Sequence, residues 1–426
     1  MAGLRRRAVL GAGLATGVGS ALAGCTTAEA PPAAAARQPA AFDPESWDSV
    51  RAQFSLDPGI AHFAAFVLAA HPAPVRAAIE THRAGLDTDT HAYLNQGVQR
   101  EEEVREAAAG YLGANPAEIA LTDSTTMGMG LLCGGMRLRA GQEVLTTEHD
   151  FFGTHEALRL LAERTGAPVR RVRLYDDPAA ATEADMVARL RAGIGPATRL
   201  VVVTWVHSST GVRLPIKAMS TALAEANANR DPADQALLVV DGVHGFAAVD
   251  TTVTELGCDF LTAGTHKWLF GPRGTGLLWG RAWAAVAPVI PSFSGAESPG
   301  REATPGGYHS FEHRWAAKEA FEFHKAIGRD RIAARIQEQA TRLKEGLAGI
   351  SSVRLVTPKD PAVSAGLVMC SINGMSPNQA VQRLRSEHRI DASVTPYAEP
   401  LVRFGPSIVT TPEQVDAVVR AVAALR

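Results

Sequence analysis

Apolar positions along this chain fall into two alternating textures. In "VQREEEVREAAAGYLG" (98–113), Val98, Val104, Ala108 and Leu112 recur on a roughly helical period, and Gly113 with Pro116 beyond it supplies a stop, so the spacing predicts a helix. Four short runs behave differently. "EVLTT" (143–147), "RLVVVTWV" (199–206), "ALLVVD" (236–241) and "DFLTAG" (259–264) are continuous stretches rich in β-branched residues. Helical patterns such as "ATEADMVARLRAGI" (181–194) and "IKAMSTALAEANA" (216–228) lie between them. Strands apolar on both faces and joined by helices mark a mostly parallel sheet, so an α/β fold is expected. No fixed-length repeat interrupts the alternation.

The texture changes near residue 300. "SPGREATPGG" (298–307) is a Gly/Pro-rich break, followed by long helical patterns, the strand-like "GLVMCSING" (366–374) and "PLVRFGPS" (400–407), and a helix at 411–425. This ordering predicts a large domain over 42–300 and a smaller α+β domain over 301–426, with 42–75 free to pack on either.

In parallel sheets, ligands collect at the carboxyl ends of the strands. The residues that follow the four runs are Glu148-His149-Asp150, His207-Ser208-Ser209, Asp241-Gly242-Val243-His244 and Thr265-His266-Lys267. Lys267 stands among Trp268, Leu269 and Phe270, and a desolvated lysine keeps a free amine able to condense with an aldehyde. Pyridoxal 5'-phosphate is the natural candidate, and it asks for a carboxylate at its ring nitrogen, a flat group against the ring, and a phosphate cradle. Asp241 meets the first demand and His149 the second. The polar, glycine-bearing "LTDSTTMGMG" (121–130), at a helix start, meets the third.

Composition narrows the partners. With 46% hydrophobic and 20% charged residues the chain is ordinary globular material, and a formal charge of −2 provides no basic field for nucleic acid. The four cysteines, Cys25, Cys133, Cys258 and Cys370, show neither zinc-site spacing nor a disulfide framework, and no metal is expected. The start, "MAGLRRRAVLGAGLATGVGSALAGC", has arginines at 5–7 and then a Gly/Ala-rich apolar run, which predicts an export signal over 1–25. Arg6-Arg7 resembles a twin-arginine signal, and Leu22-Ala23-Gly24-Cys25 resembles a lipobox. An exported, periplasmic or cell-envelope enzyme, held to the membrane through a lipid on Cys25, is therefore expected. Residues 26–41 are a Pro/Ala-rich tether.

The strings "VVDGVHGFAAVD" (239–250) and "CDFLTAGTHKWLFGPRGTGLLW" (258–279), with "LTDSTTMG" and "VLTTEHDFFGT" upstream, resemble the class V aminotransferase family, and within it the isopenicillin N epimerase-like branch. The resemblance implies the type I fold of pyridoxal-phosphate-dependent transferases, with a seven-stranded-type, mostly parallel sheet, and a homodimer. It implies Lys267 as the Schiff-base lysine, Asp241 as partner of the pyridine nitrogen, His244 as donor to the ring hydroxyl, and His149 as the stacking and catalytic ring. Thr125, Thr126 and His266 match phosphate contacts, Ser208 a polar residue near the ring edge, and Arg403 the clamp on a substrate carboxylate.

Departures from the family pattern matter too. "RIDASVTPYAEPLVRF" (389–404) lacks the loop cysteine of desulfurases, and Cys370 sits in an apolar run. Gly264 replaces a polar residue, so its phosphate contact is lost or taken over by Thr265. His309, Glu312, His313 and Arg314 in "GGYHSFEHRWA" (306–316) could reach a substrate or a neighbouring phosphate.

The implied reaction is epimerisation or related amino-group tailoring of an amino acid or peptide. A C–S or β-lyase, an aminotransferase, an exported enzyme tailoring a peptide siderophore side chain, and a non-catalytic binding lipoprotein are the alternatives.

Overall fold

The architecture comes from a computed structural model that describes residues 41–425. The export segment, Cys25 and nearly all of the 26–41 tether lie outside the described residues. A two-residue strand, β1 (Ala61–His62), comes first. The main sheet follows, made of β2 (Ile119–Thr122), β3 (Glu143–Thr147), β4 (Val169–Val172), β5 (Thr198–Thr204), β6 (Leu237–Asp241), β7 (Phe260–Gly264) and β8 (Gly276–Gly280). Their order is β2-β8-β7-β6-β5-β3-β4, and β8 alone runs against its neighbours. All four apolar runs are strands of this sheet.

Alternation along the central strands builds two cores. Leu200 and Val202 of β5 and Val239 of β6 pack with Met129, Leu132, Leu158 and Leu161 from helices Thr125–Gly135 and Phe152–Thr165. Val201, Val203 and Val240 point the other way, towards Met186, Leu190, Met219 and Leu223 of helices Glu183–Gly193 and Ile216–Asn227. With helices on both faces, all positions of these strands but Arg199 and Leu237 near their starts are buried, which is why their sequence is so continuously apolar.

The second sheet is antiparallel: β9 (Val353–Leu355), β10 (Val368–Ile372), β12 (Ser393–Val394) and β13 (Val402–Phe404) in the order β12-β13-β10-β9. Helices Arg329–Ala348, Pro377–His388 and Pro412–Ala424 contribute Leu343, Leu384, Val415 and Val418 to its core. Between β10 and β12, β11 (Ile390–Asp391) pairs in parallel with β1, so residues 61–62 are bound to this layer. Helices Phe311–Trp315 and Ala317–Ile327 instead pack on Ala73–Thr88 and Gly97–Leu112, beside the large sheet. The predicted helix at 98–113 spans Gly97–Leu112 and stops at Gly113, whose φ of 67° suits a residue without a Cβ.

One side chain pins the carboxyl edge of the main sheet. Buried Asp150 accepts from Thr146 Oγ1 (2.7 Å), Thr147 N (2.7 Å) and Thr204 N (2.6 Å), joining the ends of β3 and β5. Asp150→Ala would orphan two backbone N–H groups and should lower stability by ~2–4 kcal/mol. Denaturant unfolding checks this; a midpoint equal to that of the wild type would contradict it.

Candidate active site

The strand ends converge on one cavity of about 150 Å³, partly open to solvent. Ser124, Thr125, Thr126, Phe151, Thr154, Ser208, Asp241, His244, His266 and Lys267 line it. Each follows or ends a strand of the main sheet, so the parallel topology delivers the chemistry to one edge.

Lys267 lies in a tight turn after β7. Gly271 N donates to Thr265 O (2.9 Å) and Phe270 N to Lys267 O (3.0 Å), and Phe270 is held at φ 58°, an unusual conformation for a bulky residue. The Lys267 amine forms no hydrogen bond or ion pair among the described residues. Its desolvation lowers the pKa to about 8, with the Asp241 carboxylate partly opposing and Arg403 reinforcing that fall.

Asp241 ends β6 fully buried. Its carboxylate accepts from Thr154 Oγ1 (2.9 Å) and Val243 N (3.2 Å), and burial raises its pKa to about 6, still ionised at neutral pH. No cation among the described residues is bonded to it. His244 is buried beside it and takes a hydrogen bond on Nδ1 from Trp268 Nε1 (3.3 Å). That bond fixes the tautomer, leaving the proton on Nε2, and burial holds the imidazole neutral.

The helix Thr125–Gly135 starts at the cavity. Ser124 caps it by accepting from Met127 N (3.1 Å), while the N–H groups of Thr125 and Thr126 have no intrahelical partner. Thr125 Oγ1 accepts from Gly264 N (2.7 Å), tying the helix start to the end of β7. Gly128 allows this approach, since a Cβ there would stand 2.0 Å from Thr262 Oγ1. Gly264, where the family pattern has a polar residue, leaves room for its neighbour: a Cβ would fall 2.8 Å from the His266 ring. Thr265 does not replace the lost contact, because it is buried against Thr275.

Arg403 on β13 comes from the other layer. It is 8% exposed, donates through Nε to Ser393 Oγ (3.0 Å) and through Nη1 to Ser208 O (3.4 Å), and lies 4.7 Å from the Phe66 ring centroid. Burial pulls its pKa down to about 10. No carboxylate among the described residues pairs with it. A buried, unpaired guanidinium beside a cavity is a site for an anion.

His149 sits elsewhere than its sequence position suggested. Its ring stacks on Tyr175, centroids 3.8 Å apart and 8° from parallel, and it is absent from the cavity wall. The pinned Asp150 sets the turn so that the residue after it, Phe151, faces the cavity with the flat ring. Phe151 stands two residues away in the same string, and aromatic character was the only signal for it. Thr154 and Tyr397, whose hydroxyl meets Ser208 Oγ at 2.5 Å, also escaped sequence reasoning. In 306–316, His313 donates to Arg273 O (2.9 Å), His309 to Pro305 O (3.3 Å) and Arg314 to Glu101 (3.0 Å), and none of the three lines the cavity. Among the described residues no cluster suits a metal ion.

These groups fit pyridoxal phosphate: an unpartnered amine for an aldehyde, a buried carboxylate for a pyridinium nitrogen, a flat face, and a capped helix start for a phosphate.

The aminotransferase class V family matches residues 75–395. An isopenicillin N epimerase of Streptomyces clavuligerus is 27% identical over 405 residues, covering 89% of this chain and 98% of the relative. A probable cysteine desulfurase of Vibrio cholerae is 24% identical over 68% of this chain and 72% of the relative. Among solved structures, a cystine C–S lyase, C-DES, bound to cysteine persulfide superposes with a TM-score of 0.78 at 21% identity, covering 86% of this chain and 98% of that one. A cysteine desulfurase of Thermococcus onnurineus gives 0.76 at 20% identity, over 89% and 97%.

The lowered lysine has a thermodynamic signature. With a pKa near 8 folded and 10.5 unfolded, the unfolded state holds more proton between those values, so stability rises with pH across that window. Below pH 8 the cost of burying the ammonium is fully felt. Cofactor-free Lys267→Met should therefore melt above the cofactor-free wild type at pH 7, with the gap closing towards pH 10. Thermal unfolding across pH reads this, and a pH-independent gap would contradict it.

Proposed function

The chain belongs to the aminotransferase class V family, whose members are pyridoxal-phosphate enzymes, and from that premise we propose that it acts at Cα of an amino acid or peptide amino group. Epimerisation, or a related amino-group tailoring, is the proposed reaction. The observation that carries the reading is an unpartnered Lys267 amine on the cavity wall with a buried Arg403 guanidinium, free of any carboxylate among the described residues, behind the cavity-lining Ser208 and close enough to lower the lysine's pKa.

Lys267 would hold the cofactor aldehyde and Asp241 its ring nitrogen. His244 Nε2–H suits the ring hydroxyl, and Thr125, Thr126 and His266 the phosphate. When bound, the cofactor withdraws electrons and loosens the bonds at Cα of an attached amine. The rest falls to the protein. Arg403 takes the substrate carboxylate and so fixes which Cα bond is presented. Lys267, poised near pH 8, can accept a Cα proton and give it back. Phe66 stacks 24° from parallel on Trp268 and meets His244 edge-on, shielding this wall from water.

The epimerase relatives that span nearly the whole chain support this reading over a persulfide-forming one. The described cysteines Cys133, Cys258 and Cys370 are all buried, with their thiols pushed up to about 12, and none lines the cavity. Action outside the cytoplasm is part of the proposal, supported by the arginines at 5–7 and the Leu22–Cys25 string.

Holoenzyme incubated with amino acids and short peptides in deuterated water should place deuterium at Cα without releasing keto acid. Pyruvate and ammonia without deuterated substrate would replace epimerisation by a lyase reaction. Arg403→Ala should keep the cofactor's visible band yet lower kcat/KM for a carboxylate substrate by about 10–150-fold, the worth of a charged hydrogen bond at ~1.5–3 kcal/mol. Its amide, lacking the carboxylate, should be spared; equal losses for both would remove Arg403 from substrate binding.

A further inference from the structure

Tyr397 stands on the connection between β12 and β13. Thr395 N donates to Leu401 O (2.9 Å) and Leu401 N to Thr395 Oγ1 (2.8 Å), so the base of this loop is closed and the position of the tyrosine is defined. The flanking residues Pro396 and Ala398 to Pro400 are exposed, but Tyr397 is half-buried and directed inward. Its hydroxyl meets Ser208 Oγ at 2.5 Å, and Ser208 lines the cavity. Arg403 Nη1 bonds the carbonyl of the same serine (3.4 Å).

The cavity wall is drawn entirely from residues between Ser124 and Lys267, at the edge of the main sheet. Tyr397 and Arg403 come from the antiparallel sheet and close on it from the other layer. An inversion at Cα needs exactly two proton-handling groups, one for each face of the carbon, unless a single base can swing between them.

We propose that Tyr397 is the second acid–base group of this site, delivering a proton to the face of Cα opposite Lys267. The inference rests on the epimerase reading and deepens it. In one direction Lys267 Nζ takes the Cα proton; that C–H bond breaks and its electron pair stays at Cα. The Tyr397 O–H bond then breaks, its proton forms the new C–H bond on the other face, and its pair remains on the phenolate. Lys267 is left as ammonium, and its proton returns to the phenolate through solvent. Nothing is oxidised or reduced. Burial raises the phenol's pKa, helped by the Asp241 and Asp150 carboxylates, while Ser208 Oγ and the Arg403 guanidinium oppose part of that rise.

Two measurements test this on the holoenzyme. Across a panel of L-amino acids in deuterated water, the wild type should exchange and invert. Tyr397→Phe, with its cofactor band intact, should still exchange with retention through Lys267 while inversion falls at least about a hundred-fold, the usual contribution of a general acid. Inversion and exchange falling together, or inversion unchanged, would overturn the role while leaving the epimerase reading in place. A wild type that exchanges but never inverts would bring down both.

The second measurement does not depend on turnover. Tetranitromethane should nitrate Tyr397 in the holoenzyme but not after aminooxyacetate, a carboxylate that condenses with the bound aldehyde; peptide masses read the result. Tyr308, 84% exposed, should be nitrated in both cases. Nitration of Tyr397 that ignores aminooxyacetate would place it away from the substrate and overturn the proposal.

Discussion

Three charged side chains, Lys267, Asp241 and Arg403, share one site without pairing with one another. Each is carried there by a different element: the turn after β7, the last residue of β6, and the middle of β13. Taking charges out of water is costly unless they find partners. The protein meets that cost with backbone and hydroxyl donors for Asp241, and with hydroxyl and carbonyl acceptors for Arg403. Lys267 finds no such partner among the described residues, and the cost shows as a pKa lowered to about 8. An aldehyde, a protonated ring nitrogen and a carboxylate would complete these three groups, as the proposed function requires.

The rest of the fold holds that arrangement in place. Parallel strands send their ends to one edge, and two glycines let the pieces close: Gly128 brings a helix start against β7, and Gly264 leaves room for the His266 ring. Phe66 couples the layers from a third direction. It lies under Arg403 and against Trp268, and Gly405 clears a path for it, since a Cβ there would stand 2.1 Å from its ring. Its segment is anchored next to β1, which pairs with β11.

Much of this was legible in the sequence. The four apolar runs announce buried strands because both faces are covered, and the chemistry after each run follows from parallel topology alone. Asp241, His244, Thr125, Thr126, Ser208, His266 and Lys267 line one cavity. What escaped depends on contacts far apart in the chain. Whether His149 or Phe151 faces the cavity is decided by Asp150 reaching Thr204 N in another strand, which no local pattern reveals. Tyr397 reaches Ser208 only because two sheets meet, and the β1–β11 pairing joins residues from opposite ends of the chain. Antiparallel β8 was invisible for a simpler reason: "GLLWG" is a short apolar run of the same kind as its parallel neighbours.

Lys267 as the covalent anchor of an aldehyde cofactor is the premise of the proposed chemistry. Purified protein should be reduced with borohydride, digested, and its peptides weighed. The visible band should disappear, and one peptide, the one containing Lys267, should gain the mass of a reduced pyridoxyl phosphate. The same adduct on a different lysine, or an unmodified Lys267 peptide from protein that carries the cofactor, would contradict it.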